Sequence, residues 1–276
     1  MRLNKARGRQ NFKAFLQRLY DRGRIDGKDT IVVIQGQMQT GKSSLGYRLM
    51  WNLDPNWDLF SPDQPETEVE RRMVYSTLAY MKEYNKAPPE FSAFMYDDAG
   101  VGIPAKKWYE DQAVLFGQTI QFGGNRHYLN IITVPDQLFI EPTSRSLAVY
   151  VIEMDEDSPG FAYVRRVRRS RNLTNPKKHY PYLRVTIKRN GKIVGKRNIS
   201  YIYCDRLPDW RYKRYDTRKR EVQKITFKGY EEKLEGKEKK EEKPKRKINP
   251  NSLKNLTPGN PKKHNVNKEI SSNLNS

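Results

Sequence analysis

The segment GQMQTGKS, Gly36 to Ser43, satisfies every fixed position of the pattern G-x-x-x-x-G-K-[ST], and it constrains the fold more than any other stretch of the chain. The reason is conformational. Glycines let successive backbone N–H groups turn inward, the first turn of a helix adds its positive dipole end, and a lysine ammonium closes a cage for polyphosphate. Such a loop belongs between a buried strand and a helix. The flanks fit: Thr30 to Ile34 (TIVVI) reads as a short buried strand and Ser43 to Trp51 (SSLGYRLMW) as a helix. Gly36, Gln37, Met38, Gln39, Thr40, Gly41, Lys42, Ser43 and Ser44 are therefore expected to bind the phosphates of a nucleotide. Lys42 would reach the β- and γ-phosphates, and the Ser43 hydroxyl would help hold Mg²⁺.

The neighbouring segments extend the pattern. Phe91 to Tyr96, Leu129 to Thr133 and Leu147 to Glu153 are apolar runs of strand length, and a helix is expected from about Ala105 to Phe122, with Trp108, Leu115, Phe116 and Ile120 on one face. Alternating strands and helices predict an α/β fold with a mostly parallel sheet covered on both faces. Ahead of it, Phe12, Phe15, Leu16 and Leu19 give Asn11 to Arg22 the stripe of a basic amphipathic helix. Beyond it the texture changes to period two: Tyr182 to Lys188, the pair Asn190-Gly191, and Ile193 to Arg197 predict a β-hairpin. Ile199 to Cys204 reads as one more strand, the segment from Pro208 to Lys224 as a basic helix, and residues after about 229 as a disordered tail. The expected organisation is an N-terminal helix (1–28), a P-loop core (29–155), a basic module (156–228) and a tail (229–276).

Charge is distributed to match. The net charge is +21, yet residues 29–159 hold 10 Lys/Arg against 19 Asp/Glu, whereas residues 160–224 hold 21 against four. An acidic nucleotide-binding segment beside an intensely basic one points to a polyanionic partner, nucleic acid above all, with a merely solvated face as the plainer alternative. The single cysteine, Cys204, excludes an internal disulfide framework, and the three scattered histidines argue against a structural zinc site. No apolar run approaches the ~20 residues that span a bilayer. A cytoplasmic protein is expected.

Strand Phe91 to Tyr96 ends in Asp97-Asp98, the hhhhD[DE] pattern of a Walker B element. A carboxylate at such a strand end, beside the phosphate loop, can hold Mg²⁺ through water, and a second can orient and deprotonate the attacking water. Asp97 takes the metal role and Asp98 the water role. Thr133, at the end of the adjacent expected strand, would sense the γ-phosphate or simply close the strand. Arg126 and Arg145 flank that strand and are candidates for an arginine finger reaching a neighbouring subunit, or for surface ion pairs. The guanine-reading N-K-x-D motif does not occur, which favours ATP over GTP.

Taken together, the phosphate loop, DPNWDLF, MYDDAGVGIPAKKWYEDQAVLFGQTIQ and HYLNIITVPDQLFIEPTSRSL resemble archaeal and archaeal-mobile-element P-loop ATPases of the HerA/FtsK superfamily, across roughly residues 29–155. The resemblance implies a RecA-like core, assembly into a ring or hexamer, and ATP-driven work on DNA in transport, packaging, conjugation or repair. Asp98 departs from it, standing where the family usually shows glutamate. The leading expectation is an oligomeric, Mg²⁺-dependent ATPase that moves duplex DNA without reading sequence. The alternatives are a nucleotide-gated DNA-binding or partition protein with slow hydrolysis, and a secretion- or assembly-type ATPase resembling zonular occludens toxin proteins.

Overall fold

The computed structural model describes residues 3–56, 67–99, 112–122, 126–136, 146–169, 178–189 and 192–241. Trp108, Arg145 and the Asn190-Gly191 turn lie outside the described residues, as does most of the DDAGVGIP block.

Helix α1 (Lys5–Tyr20) opens the fold. It starts before the expected Asn11 because Asn4 caps it, accepting the Arg7 N–H at 3.0 Å. A π-helical turn, Asp21–Ile25, leads to β1 (Thr30–Gln35), then the phosphate loop and α2 (Lys42–Leu53). Next come α3 (Glu68–Arg71), β2 (Met73–Val74), α4 (Thr77–Asn85), β3 (Ala93–Tyr96), α5 (Gln112–Phe122), β4 (Leu129–Val134) and β5 (Tyr150–Met154). The basic segment adds β6 (Phe161–Arg166), the short β7 (Arg168–Arg169) and β8 (Lys178–His179), the hairpin β9 (Leu183–Arg189) and β10 (Lys192–Ile199), β11 (Tyr201–Tyr203) and α6 (Asp209–Glu241).

The fold is mixed α/β. Seven strands form one sheet in the order β11-β6-β5-β1-β4-β3-β2, of which β5, β1, β4, β3 and β2 run parallel, with β6 antiparallel to β5 and β11 antiparallel to β6. The basic segment thus completes the same sheet, so the expected boundary near 155 falls between two paired neighbours, β5 and β6. Hairpin β9–β10 pairs Leu183 with Ile199 and Lys192 with Arg189, as its alternation predicts, with an irregularity at Ile193/Gly195.

Alternation along β1 sends its side chains to two cores. Val32 and Ile34 join α1, α2 and the β9–β10 hairpin on one face; Ile31 and Val33 join α4 and α5 on the other. Aromatic rings fill the second core, where Tyr80 lies 4.8 Å from Phe116 and 5.6 Å from Phe94, centroid to centroid. At the edge of the first core, Asp54 at the end of α2 pairs with Arg72 at 2.7 Å and accepts the Ala93 N–H at 2.7 Å, tying α2 to the start of β3.

By its contacts the chain divides into two units, Met1–Val222 and Gln223–Ser276. The described part of the second is the later stretch of α6. Of the disordered tail expected from about 229, the stretch to Glu241 is instead the end of α6, whose Lys, Glu and Leu are strong helix formers that need no buried face; residues 242–276 lie outside the described residues. Among the described residues, no helix is long and apolar enough to cross a membrane.

Candidate functional site

Parallel pairing brings three strand ends level. Ile34 of β1 stands opposite Thr133 of β4, and Ile132 opposite Tyr96 of β3, so Gly36, Thr133 and Asp97 leave the sheet at one edge. After β1 the chain turns through Gly36 at φ +148°. A Cβ there would lie 2.9 Å from the Met154 Cβ and 3.1 Å from Thr40 Oγ1, so only glycine lets the loop pass β5 this closely. Thr40 Oγ1 ties the loop by donating to the Gln37 carbonyl at 2.9 Å, and Gly41, left-handed at φ +96°, starts α2.

Lys42 is buried, and its ammonium donates to the carbonyls of Gly36 at 2.8 Å and Gln37 at 2.5 Å. Burial pulls its pKa down, against the opposing pull of Asp98 and Asp97. Across the site, fully buried Asp97 accepts the Ser43 and Thr133 hydroxyls on Oδ1, each at 2.7 Å. Asp98 turns left-handed at φ +49°, which aspartate tolerates better than most residues, and its N–H donates to Thr133 Oγ1 at 2.8 Å. Thr133 therefore links the Asp97 carboxylate to the Asp98 backbone through one hydroxyl.

Two further side chains were not foreseen. From α6, the Tyr215 hydroxyl donates to Asp97 Oδ2 at 2.6 Å, while the Lys219 ammonium lies 3.3 Å from Asp97 Oδ2 and contacts Asp98 Oδ2. Burial and the Asp97 charge raise the Tyr215 pKa, so the phenol stays protonated. Burial lowers the Lys219 pKa, but the charge of Asp97 and the hydrogen bond to Asp98 outweigh it and leave the ammonium charged. Their sequence signal was only a basic helical segment. Nothing local separates Lys219 from its neighbouring cations.

Arg126 does not join this cluster within the chain. It is exposed, donates to the Tyr128 hydroxyl at 3.2 Å, and precedes β4 at the opposite edge of the sheet, on the order of 20 Å along the strand from Thr133. Cys204 is buried and its thiol is pushed up to about 12 by that burial, which leaves it inert as a nucleophile.

The donor set fits Mg²⁺ held together with a nucleotide. Among the described residues no group of three or more His, Cys, Asp or Glu could hold a metal alone; one hydroxyl, Ser43, beside one carboxylate, Asp97, suits an ion that keeps waters and takes its remaining ligands from phosphates. The chain matches no protein-family model and no curated protein in sequence.

Proposed function

We propose that this chain is a Mg²⁺-dependent ATPase with a RecA-like core that works on DNA as a cytoplasmic oligomer. The observation that carries the reading is the convergence of Lys42, Ser43, Asp97, Asp98 and Thr133 at one sheet edge. The strand order supports it: β4 lies between the phosphate-loop strand β1 and the Asp97 strand β3, which brings Thr133 to the Asp97 carboxylate and the Asp98 backbone.

In this reading the loop N–H groups and Lys42 bind the polyphosphate, which requires Lys42 to leave the Gly36 and Gln37 carbonyls for phosphate oxygens. Bound Mg²⁺ would supply charge neutralisation at the phosphates, with Ser43 and Asp97 as its protein-side partners. Asp98 orients water and takes its proton as the water oxygen bonds to the terminal phosphorus; the bond from that phosphorus to the bridging oxygen breaks, and its electron pair stays on ADP. Thr133 fixes the Asp98 backbone. DNA is proposed from the 21 cations of residues 160–224, and self-association would let Arg126 serve a neighbouring subunit.

A second reading, a nucleotide-gated DNA-binding protein with slow turnover, is favoured by Asp98 itself, which is one methylene shorter than the family's glutamate and is engaged by Lys219. Turnover measured with and without duplex DNA separates the two. Strong stimulation is the outcome for the motor, DNA binding with negligible turnover for the gated binder. In either case Asp98→Asn should keep ATP affinity while losing turnover, since an amide cannot accept the proton; equal loss of both would assign Asp98 to the metal.

A further inference from the structure

The first part of α6 is docked by one helical face. Arg214, Tyr215, Arg218 and Lys219 stand at positions i, i+1, i+4 and i+5, and all four are engaged. Arg214 pairs with Glu70 at 2.9 Å, Arg218 donates to the Glu70 carbonyl, and Tyr215 and Lys219 meet the carboxylate pair. Glu70 is itself fixed, buried and closing a capping box with Thr67. The turn that carries Lys219 is therefore held at several points, and the ammonium is not a long side chain resting on the nearest acid.

Charge indicates what this ammonium is for. Without Lys219, Asp97 and Asp98 would be two anions with Lys42 as the cation acting on them from the loop among the described residues. A magnesium–nucleotide complex, itself an anion, would leave the cluster strongly negative in a largely buried setting, where uncompensated charge is costly. Lys219 is close enough that its charge acts on Lys42, and Arg126 stands at the other edge of the sheet. Phosphoryl transfer needs added positive charge as negative charge spreads over the terminal phosphate oxygens.

We propose that Lys219 is a catalytic cation delivered in cis by α6: in this structure it holds the Asp97–Asp98 pair, and with nucleoside triphosphate bound it faces the terminal phosphate. Tyr215 is its positioning residue, anchoring the same helix to Asp97. The proposal rests on the ATPase reading above.

The test uses the full chain with Lys219→Met, Lys219→Arg and Lys42→Ala, each checked for helical content and melting. Turnover of ATP is measured beside displacement of a fluorescent ADP by ADP and by a non-hydrolysable ATP analogue. Lys219→Met should lose about 10²–10³-fold in turnover. It should bind ADP like the wild type while its preference for the triphosphate falls by about tenfold, and Lys219→Arg should recover part of both. Turnover equal to or above wild type in Lys219→Met, or an unchanged triphosphate preference, overturns the proposal and makes α6 a plug on the site. If Lys219→Met does not fold, Lys219→Gln, which keeps a donor without the charge, is read by the same criteria. Lys42→Ala separates the two claims: if it binds nucleotide as well as wild type, the ATPase reading fails; if it loses binding while Lys219→Met turns over normally, only the cis cation fails.

Discussion

Each oxygen of Asp97 is bonded twice: Oδ1 by the Ser43 and Thr133 hydroxyls, Oδ2 by the Tyr215 hydroxyl and the Lys219 ammonium. Four donors match the acceptor capacity of a carboxylate, which is how this one is accommodated when buried. Asp54 solves the same problem structurally, with Arg72 at 2.7 Å and the backbone N–H groups of Ala93 and Asn56 at 2.7 and 2.9 Å. Asp54→Ala leaves the buried Arg72 charge uncompensated, and we expect a loss of about 3–5 kcal/mol in unfolding free energy by urea titration; a change below about 1 kcal/mol would contradict this account of the clamp. The sequence made Lys42, Ser43, Asp97, Asp98 and Thr133 legible as candidates because each sits at a strand end or loop where chain position alone predicts its surroundings. Tyr215 and Lys219 meet Asp97 from 118 and 122 residues away, and Asp54 meets Ala93 from 39; such meetings follow from tertiary packing, which local pattern does not encode.

Among the elements, the β1–loop–α2 unit is the most demanding of its residues. Gly36 combines φ +148° with a virtual Cβ 2.9 Å from the Met154 Cβ, whereas Gly195 in β10 has nothing within 4 Å. Gly36→Ala should therefore cost about 1–3 kcal/mol in stability and weaken nucleotide binding, while Gly195→Ala should leave both unchanged. Thermal melts and nucleotide titrations of the two variants check this, and equal behaviour would contradict the loop geometry. Strands β1, β4 and β5 were readable because continuous apolar runs are what two-sided burial requires, and hairpin β9–β10 because its alternation reports one buried face. Strand β2 was not, since two residues carry no periodicity. The true length of α6 was hidden because a helix rich in Lys and Glu looks, by composition, like a disordered tail.

At the scale of the whole molecule, part of the basic segment's charge is engaged within the chain. Lys219 is turned into the site, Arg214 and Arg218 hold Glu70, and Arg211 stacks on Trp51 at 3.3 Å, so the cations that the proposed DNA contact would use lie chiefly on β6 and the following strands. If about six to ten cations meet phosphates, duplex affinity should fall roughly 10³–10⁵-fold between ~50 and ~200 mM salt. Replacing Arg165, Arg166, Arg168 and Arg169 together by glutamine should flatten the slope by about three to four, whereas removing residues 242–276 should change it little; the reverse result would move the DNA contact to the tail. That β6 and β11 belong to the same sheet as the phosphate loop was not legible, because β11 reaches β6 from some 40 residues away across the hairpin. The consequence is continuity between the basic segment and the candidate site, through the sheet and through α6. Calorimetric titration of ATP into the wild-type chain, with Mg²⁺ or with EDTA, and into Lys42→Ala measures whether this site holds Mg²⁺ and ATP. Mg²⁺-enhanced binding to the wild type and at least about 100-fold weaker binding to Lys42→Ala are expected. Equal affinity in the two proteins, or no binding to the wild type, would contradict a site for Mg²⁺ and ATP.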